Sequence, residues 1–230
     1  MSPLLNRILK TLLTLLVPLI VMIGSAQLLA TDPYLALEYG KASFPPDMFG
    51  YSQEQRFVLA SANTSYVRDN LSSEALSSQM LDGKPVYSQR EVTHMADVQS
   101  AYQSVVRIWQ AAFILFLLIG LIFWQKGGRA ALASAIQSGG LLTVALIGSI
   151  GLLAVLAWQV WFDNFHLIFF EPGSWLFAYS DTLIRLFPLQ FWMDATFMIT
   201  AFSLIGGLLA VFIGWQWRIA IQKAAQKIHL

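Results

Sequence analysis

Four stretches of this chain carry no charged side chain: Thr11 to Thr31, Ile108 to Gln125, Ala130 to Phe162 and Ala195 to Trp217. About 20 mostly apolar residues suffice for one helical crossing of a bilayer. The third stretch is longer than one crossing requires. Its start, AALASAIQSGG, is small and polar enough for the interface, so the crossing proper is expected over Leu141 to Trp161. The remaining composition agrees with a membrane chain. Of 230 residues 57% are hydrophobic and only 12% charged, against roughly 25% charged in a soluble domain. A net charge of +1 argues against nucleic acid as a partner, and the absence of cysteine removes disulfides, thiolate metal sites and a cysteine nucleophile.

Charge placement orients the crossings. Arg7, Lys10, Lys126, Arg129, Arg218, Lys223 and Lys227 lie in the two tails and the second-to-third connection, which hold no acidic residue. All 13 acidic residues fall in 32–107 and 163–194. Basic residues stay in the cytoplasm, so both termini are expected there. The expected organisation is a first transmembrane helix over 1–31 and an extracytoplasmic helical cap over 32–107 that runs into a second helix over 108–125. Residues 126–162 form a cytoplasmic connection and the third helix, and 163–194 an extracytoplasmic aromatic loop. A fourth helix spans 195–217, and 218–230 is a cytoplasmic tail. Gly24-Ser25-Ala26 has the small residues of a signal cleavage site, but the uncharged run continues to Thr31. A retained first helix, kinked near Pro18, fits that length better. Gly206, Ala210 and Gly214 make a small-residue stripe of the kind that lets membrane helices pack closely.

Within the cap, Ser52 with Gln55 and Ser88 with Glu91 have capping-box spacing, and Asp82-Gly83-Lys84-Pro85 is a turn signal. No Gly or Pro interrupts the chain between Ser88 and Gly120, so the second crossing reads as the lower half of one long helix. The fold class is therefore an all-α integral membrane protein, with four transmembrane helices and a small helical cap.

Histidines carry the candidate chemistry. His229 lies at the C-terminal tail, whereas His94 and His166 are both on the outward side. Asp97 follows His94 by three residues and Asp163 precedes His166 by three, a spacing that places each carboxylate on its histidine's face of a helix. A carboxylate so placed can fix an imidazole tautomer. Both histidines can be structural residues of the interface. They can be haem or metal ligands in an electron-transfer or assembly protein, or general acid–base catalysts. A non-catalytic lipid-binding or scaffold role is a further alternative. No G-x-S-x-G elbow, P-loop or G-x-G-x-x-G cradle is present. A histidine base without a protein nucleophile suggests a nucleophile that arrives with the substrate.

Several motifs resemble one family. They are YSQEQR at 51–56, REVTHMADV at 90–98, FHLIFF at 165–170 followed by Trp175, the D-x-L-I-x-L-F-P run at 181–188 and FWMD at 191–194. The family is the lipoprotein intramolecular transacylases, Lit, of the bacterial cytoplasmic membrane, and the likeness spans most of the chain. The resemblance implies a membrane acyltransferase with a diacylated lipoprotein substrate, surrounded by phospholipid and needing no cofactor or metal. It would move the sn-2 acyl chain of a diacylglyceryl-cysteine onto the α-amino group of the same cysteine. It implies His94 and His166 as catalytic residues. Arg56, Arg90 and Arg185 are candidate oxyanion donors, with Asp97 and Asp163 orienting the histidines. One geometric condition follows. His94 lies about 21 Å above Ile108 on a straight helix. The two imidazoles meet only if that helix tilts, enters the membrane nearer Ala101, or the 163–190 segment rises to the cap.

Overall fold

The computed structural model describes residues 1–228, so His229 lies outside the described residues. The chain forms α1 (Pro3–Leu29), α2 (Asp32–Tyr39), α3 (Gln53–Arg68), α4 (Glu74–Ser77), β1 (Met80–Leu81) and β2 (Lys84–Pro85). It continues with α5 (Gln89–Gln125), α6 (Arg129–Leu156), α7 (Trp158–Phe169), α8 (Thr182–Leu186) and α9 (Leu189–Ile228). Helices α1, α5, α6 and α9 are each long and apolar enough to cross a membrane. The protein is thus a helical, multi-pass membrane protein.

Two compact units divide these elements. The first comprises Met1–Ser25, Arg107–Leu153 and Met198–Leu230. Its helices approach through glycine. A methyl group on Gly140 of α6 would lie 2.5 Å from the Gly207 carbonyl oxygen of α9. One on Gly139 would lie 2.5 Å from Val17 of α1, and one on Gly206 would lie 2.7 Å from Val21. At Gly214 it would meet the Gln137 backbone nitrogen at 2.6 Å. Without side chains there, helix backbones come close enough for dispersion contacts, which drive association where lipid offers no hydrophobic gain. Trp109 Nε1 donates to the Ile20 carbonyl at 2.9 Å and ties α5 to α1.

The second unit comprises Ala26–Val106 and Ala154–Phe197. Its core contains Tyr66, Leu76, Val92, Met95, Leu183 and Leu186. Both capping signals act as their spacing predicts. Ser52 and Gln55 form a reciprocal box at the start of α3. Ser88 N and Oγ both donate to Glu91 Oε2, at 2.8 and 2.9 Å, just ahead of α5. The Asp82-Gly83 signal gives a two-residue hairpin, with φ of 50° and 73° at its centre, which joins β1 to β2. Positive φ at both central positions suits strand twist and favours Asp-Gly.

Helix α8 is held from several sides. Tyr39 Oη donates to the Leu186 carbonyl at 2.6 Å and Thr182 Oγ1 to the Val86 carbonyl at 2.6 Å. The Leu183 amide donates to Glu91 Oε1 at 2.9 Å. This use of Glu91 links the start of α5 to α8 by one buried carboxylate.

The third apolar stretch departs from expectation. Helix α6 stops at Leu156, short of Trp161, because Ala157 leaves helical geometry at φ −148°, ψ 61°. The chain then resumes as α7, so His166 stands on a helix and not in a loop. Trp158, Trp161, Phe162, Phe165, His166 and Phe169 recur at helical intervals, and their rings contact one another along α7.

Candidate active site

Helix α5 has two faces near its start. Val92 and Met95 are buried in the core of the second unit. Arg90, Thr93, His94 and Asp97 line the wall of a groove of about 280 Å³, with Gln89 and Ser174. The 3.6-residue repeat sorts these positions, since residues three and four apart share a face.

The segment after α7 reaches this face. Arg90 Nη2 donates to the carbonyls of Gly173 and Leu176, at 3.0 and 2.5 Å, and its guanidinium stacks over Phe177. His94 then packs against Phe170 and Phe177, with ring centroids 5.2 and 5.4 Å away. His166 packs against the same Phe170 at 5.7 Å, and against Phe162 and Trp175 at 4.1 and 5.2 Å. The shared phenyl ring bounds the separation of the two imidazoles at about 11 Å. Folding of 170–177 onto the start of α5 thus brings together histidines that are 72 positions apart in the sequence.

Their environment favours the uncharged imidazole. Burial pulls His94 down to about 4, with the neighbouring His166 pushing the same way, Asp97 opposing and Arg90 adding to the depression. Burial also lowers His166, opposed by its hydrogen bond to Phe162 and by Asp163. Desolvation penalises the charged form.

The carboxylates do not orient the imidazoles through hydrogen bonds. His166 Nδ1 donates to the Phe162 carbonyl oxygen at 2.7 Å, while Asp163 Oδ1 accepts from Gln159 Nε2 at 2.8 Å. His94 Nδ1 is buried without a partner, although Asp97 lines the same groove. A carbonyl four residues back lies on the side toward which helical side chains lean, so it reaches His166 before Asp163 does.

The three arginines are committed elsewhere. Arg90 clamps the turn described above. Arg56 is buried; its Nε donates to the Arg185 carbonyl at 2.8 Å and its Nη1 to the Pro45 carbonyl at 2.7 Å. Arg185 pairs with Asp47 through Nε and Nη2, both at 2.9 Å, and lies 3.3 Å over the Tyr51 ring. Arg56 and Arg185 therefore brace α3, α8 and the Pro45 loop.

Three further polar atoms near the histidines are buried and unpaired: Ser174 Oγ, Trp175 Nε1 and, on α7, Trp158 Nε1. Leaving a buried donor unpaired costs about 1–3 kcal/mol. None of these residues was singled out as functional in the sequence; the helical period of α7 reaches Trp158 alone, while Ser174 and Trp175 lie beyond that helix and Trp175 stood only as a motif position. Among the described residues no three His, Cys, Asp or Glu side chains converge as a metal would require.

Comparison with known proteins identifies the fold and the family. A family model described as lipoprotein intramolecular transacylase Lit matches residues 11–192. An uncharacterized protein of Aquifex aeolicus is 28% identical over 218 residues, covering 91% of this chain and 94% of that one. The membrane integral lipoprotein intramolecular transacylase Lit of Bacillus cereus superposes with a TM-score of 0.79 at 16% identity, over 97% of this chain and all of the other. A variant of that protein with one histidine replaced by alanine superposes with a TM-score of 0.65 at 18% identity, over 96% of each chain. At such identity these structures speak for the fold, and the family match carries the rest. This chain belongs to the lipoprotein intramolecular transacylase family, Lit, and is a membrane acyltransferase.

Proposed function

We propose that the chain moves the sn-2 acyl chain of a diacylglyceryl-modified lipoprotein onto the α-amino group of that lipoprotein's own N-terminal cysteine. The product is an N-acylated lyso-form lipoprotein. The observation that carries this reading is the pair of imidazoles, both biased toward the neutral form, on either side of Phe170. The substrate's amine has an ordinary pKa of about 7.7–8.0 and attacks only when neutral. A neutral imidazole accepts a proton from it. Because His166 Nδ1 donates to Phe162, Nε2 carries its lone pair, which supports His166 as the base. The proton so gained is returned to the departing sn-2 oxygen, toward which neutral His94 offers a hydrogen bond. Amine and ester belong to one molecule, so holding them in attack geometry supplies much of the acceleration.

The charge bias of the sequence supports cytoplasmic termini and a site facing outward. In that orientation the acidic residues, both histidines and the second compact unit meet the membrane's outer surface, where lipoproteins and phospholipid reside.

Mass spectrometry of a lipoprotein N-terminal peptide tests the reading, using a host that lacks N-acylation. Expression of the wild-type chain converts the diacylglyceryl form to the lyso form. His94→Ala and His166→Ala each abolish the conversion. Unchanged conversion in both variants overturns the assigned roles.

A further inference from the structure

The tetrahedral intermediate of acyl transfer needs donors for its oxyanion. The cationic candidates are occupied: Arg90 by the Gly173 and Leu176 carbonyls, Arg56 by those of Pro45 and Arg185, and Arg185 by Asp47. The two Arg90 bonds bracket a pair of residues, Ser174 and Trp175. Both carry buried polar atoms without a partner. Ser174 lines the groove with His94. The Trp175 ring stacks on His166 at 5.2 Å and 30°. Each histidine thus has one uncommitted donor beside it, and both donors sit on one turn that Arg90 pins to α5. An unsatisfied donor is a defect in an ordinary core but an asset where charge is about to develop.

We propose that Ser174 Oγ and Trp175 Nε1 are the oxyanion donors of this site, held without a partner until the sn-2 ester carbonyl oxygen takes up negative charge. The assignment rests on the acyl-transfer reading above. In the step itself, the amine nitrogen bonds to the ester carbonyl carbon and the carbonyl π electrons move onto oxygen. The amine proton passes to a histidine. Collapse restores the carbonyl and breaks the bond to the sn-2 oxygen, which leaves with a proton from histidine as a free hydroxyl. No external oxidant, reductant or co-reactant is consumed. Arg90 is a positioning residue in this scheme: it touches neither the ester nor the amine and acts by holding the turn.

The test uses the purified full chain and a synthetic diacylglyceryl-cysteine lipopeptide, with lyso product followed by mass spectrometry. Trp175→Phe keeps an aromatic ring against His166 and deletes the N–H; Ser174→Ala deletes the hydroxyl. Each is expected to lower kcat about 10²-fold, with KM within twofold of wild type. Neither is expected to lower Tm, because an unpaired buried donor costs the resting fold stability and its removal relieves that cost. Wild-type kcat in both variants overturns the assignment, and so does a fall in kcat matched by a fall in Tm, the mark of a packing role. If His94→Ala is inactive while both donor variants keep wild-type rates, the donor assignment alone fails. A wild-type chain that yields no N-acylated product overturns the acyl-transfer reading, and the donors with it.

Discussion

His166 donates its Nδ1 proton to the carbonyl oxygen of Phe162, 2.7 Å away and one turn earlier on α7. A backbone carbonyl thus sets the tautomer, a part that a carboxylate can also play. Asp163 is spent on Gln159 instead. Replacing Asp163 by Asn is therefore expected to leave the initial rate of lyso-form production within about threefold of wild type, since the lost through-space influence is small at an exposed site. His166→Ala, assayed beside it, is expected to be inactive.

The pH profile separates the histidines from the substrate. Burial puts His94 at about 4 and lowers His166, so both stay largely neutral at pH 7. The acid limb of the rate is then set by the substrate's amine at about 8. Single-turnover rates are expected to rise roughly tenfold per pH unit on approaching pH 7, with no inflection at the ordinary histidine value of 6.5. N-terminal substitution that lowers the amine pKa moves the limb with it.

The same depression acts on stability. Between pH 6.5 and about 4 the unfolded chain binds a proton at His94 that the folded chain refuses. Stability from this residue is complete above pH 6.5 and is lost as pH falls toward 4. A His94→Phe chain is expected to show a flatter dependence of Tm on pH over that window, measured by thermal unfolding in detergent.

Asp47 and Arg185 form a pair whose side chains are 1% and 10% exposed. The Arg185 guanidinium, with the Tyr51 and Phe49 amides, holds Asp47 down at about 2. The carboxylate's contribution is present above its ordinary value of 3.8 and disappears as pH falls through about 2. Asp47→Ala leaves a largely buried guanidinium without its counterion and is expected to destabilise by about 3–5 kcal/mol. Thermal unfolding at pH 7 checks the size, and an acid titration of the variant lacks the final transition.

Gly140 faces the Gly207 carbonyl oxygen at 2.5 Å from where a side chain would begin. Gly140→Val forces α6 and α9 apart and is expected to cost at least about 1–3 kcal/mol. Gly148, with nothing within 4 Å, is the control: Gly148→Ala is expected to be neutral or slightly stabilising. Both are read from Tm in the same detergent.

The parts of this fold that follow from periodic side-chain chemistry are legible in the sequence. The four apolar helices follow from uncharged length, and the start of α5 from the spacing of Ser88 and Glu91. Motifs around His94 and His166 led to the family that the residue 11–192 match identifies. What escaped the sequence depends on main-chain atoms, which every residue shares. The partner of His166 is a carbonyl, and so are both acceptors of Arg90. Spacing of charges pointed to Asp163 and Asp97, because a carboxylate is visible in sequence and a turn's carbonyl is not. Helix α7 was a different omission. Its aromatic period was present, but the apolar stretch ran through Ala157 without a Gly or Pro to mark the break.

The rings around the histidines bear on a competition that every acyl transfer faces. Phe162, Phe165, Phe170 and Trp175 surround His166, while Phe170 and Phe177 cover His94. A neutral imidazole activates water as readily as an amine, and water is the more abundant nucleophile. Hydrolysis would release a free fatty acid and leave the cysteine amine bare. Enclosure in phenyl and indole surface offers water few hydrogen-bonding positions, whereas a tethered amine is delivered by the substrate itself. In the proposed reaction the aromatic lining therefore favours arrival of the acyl chain on nitrogen over its loss to water.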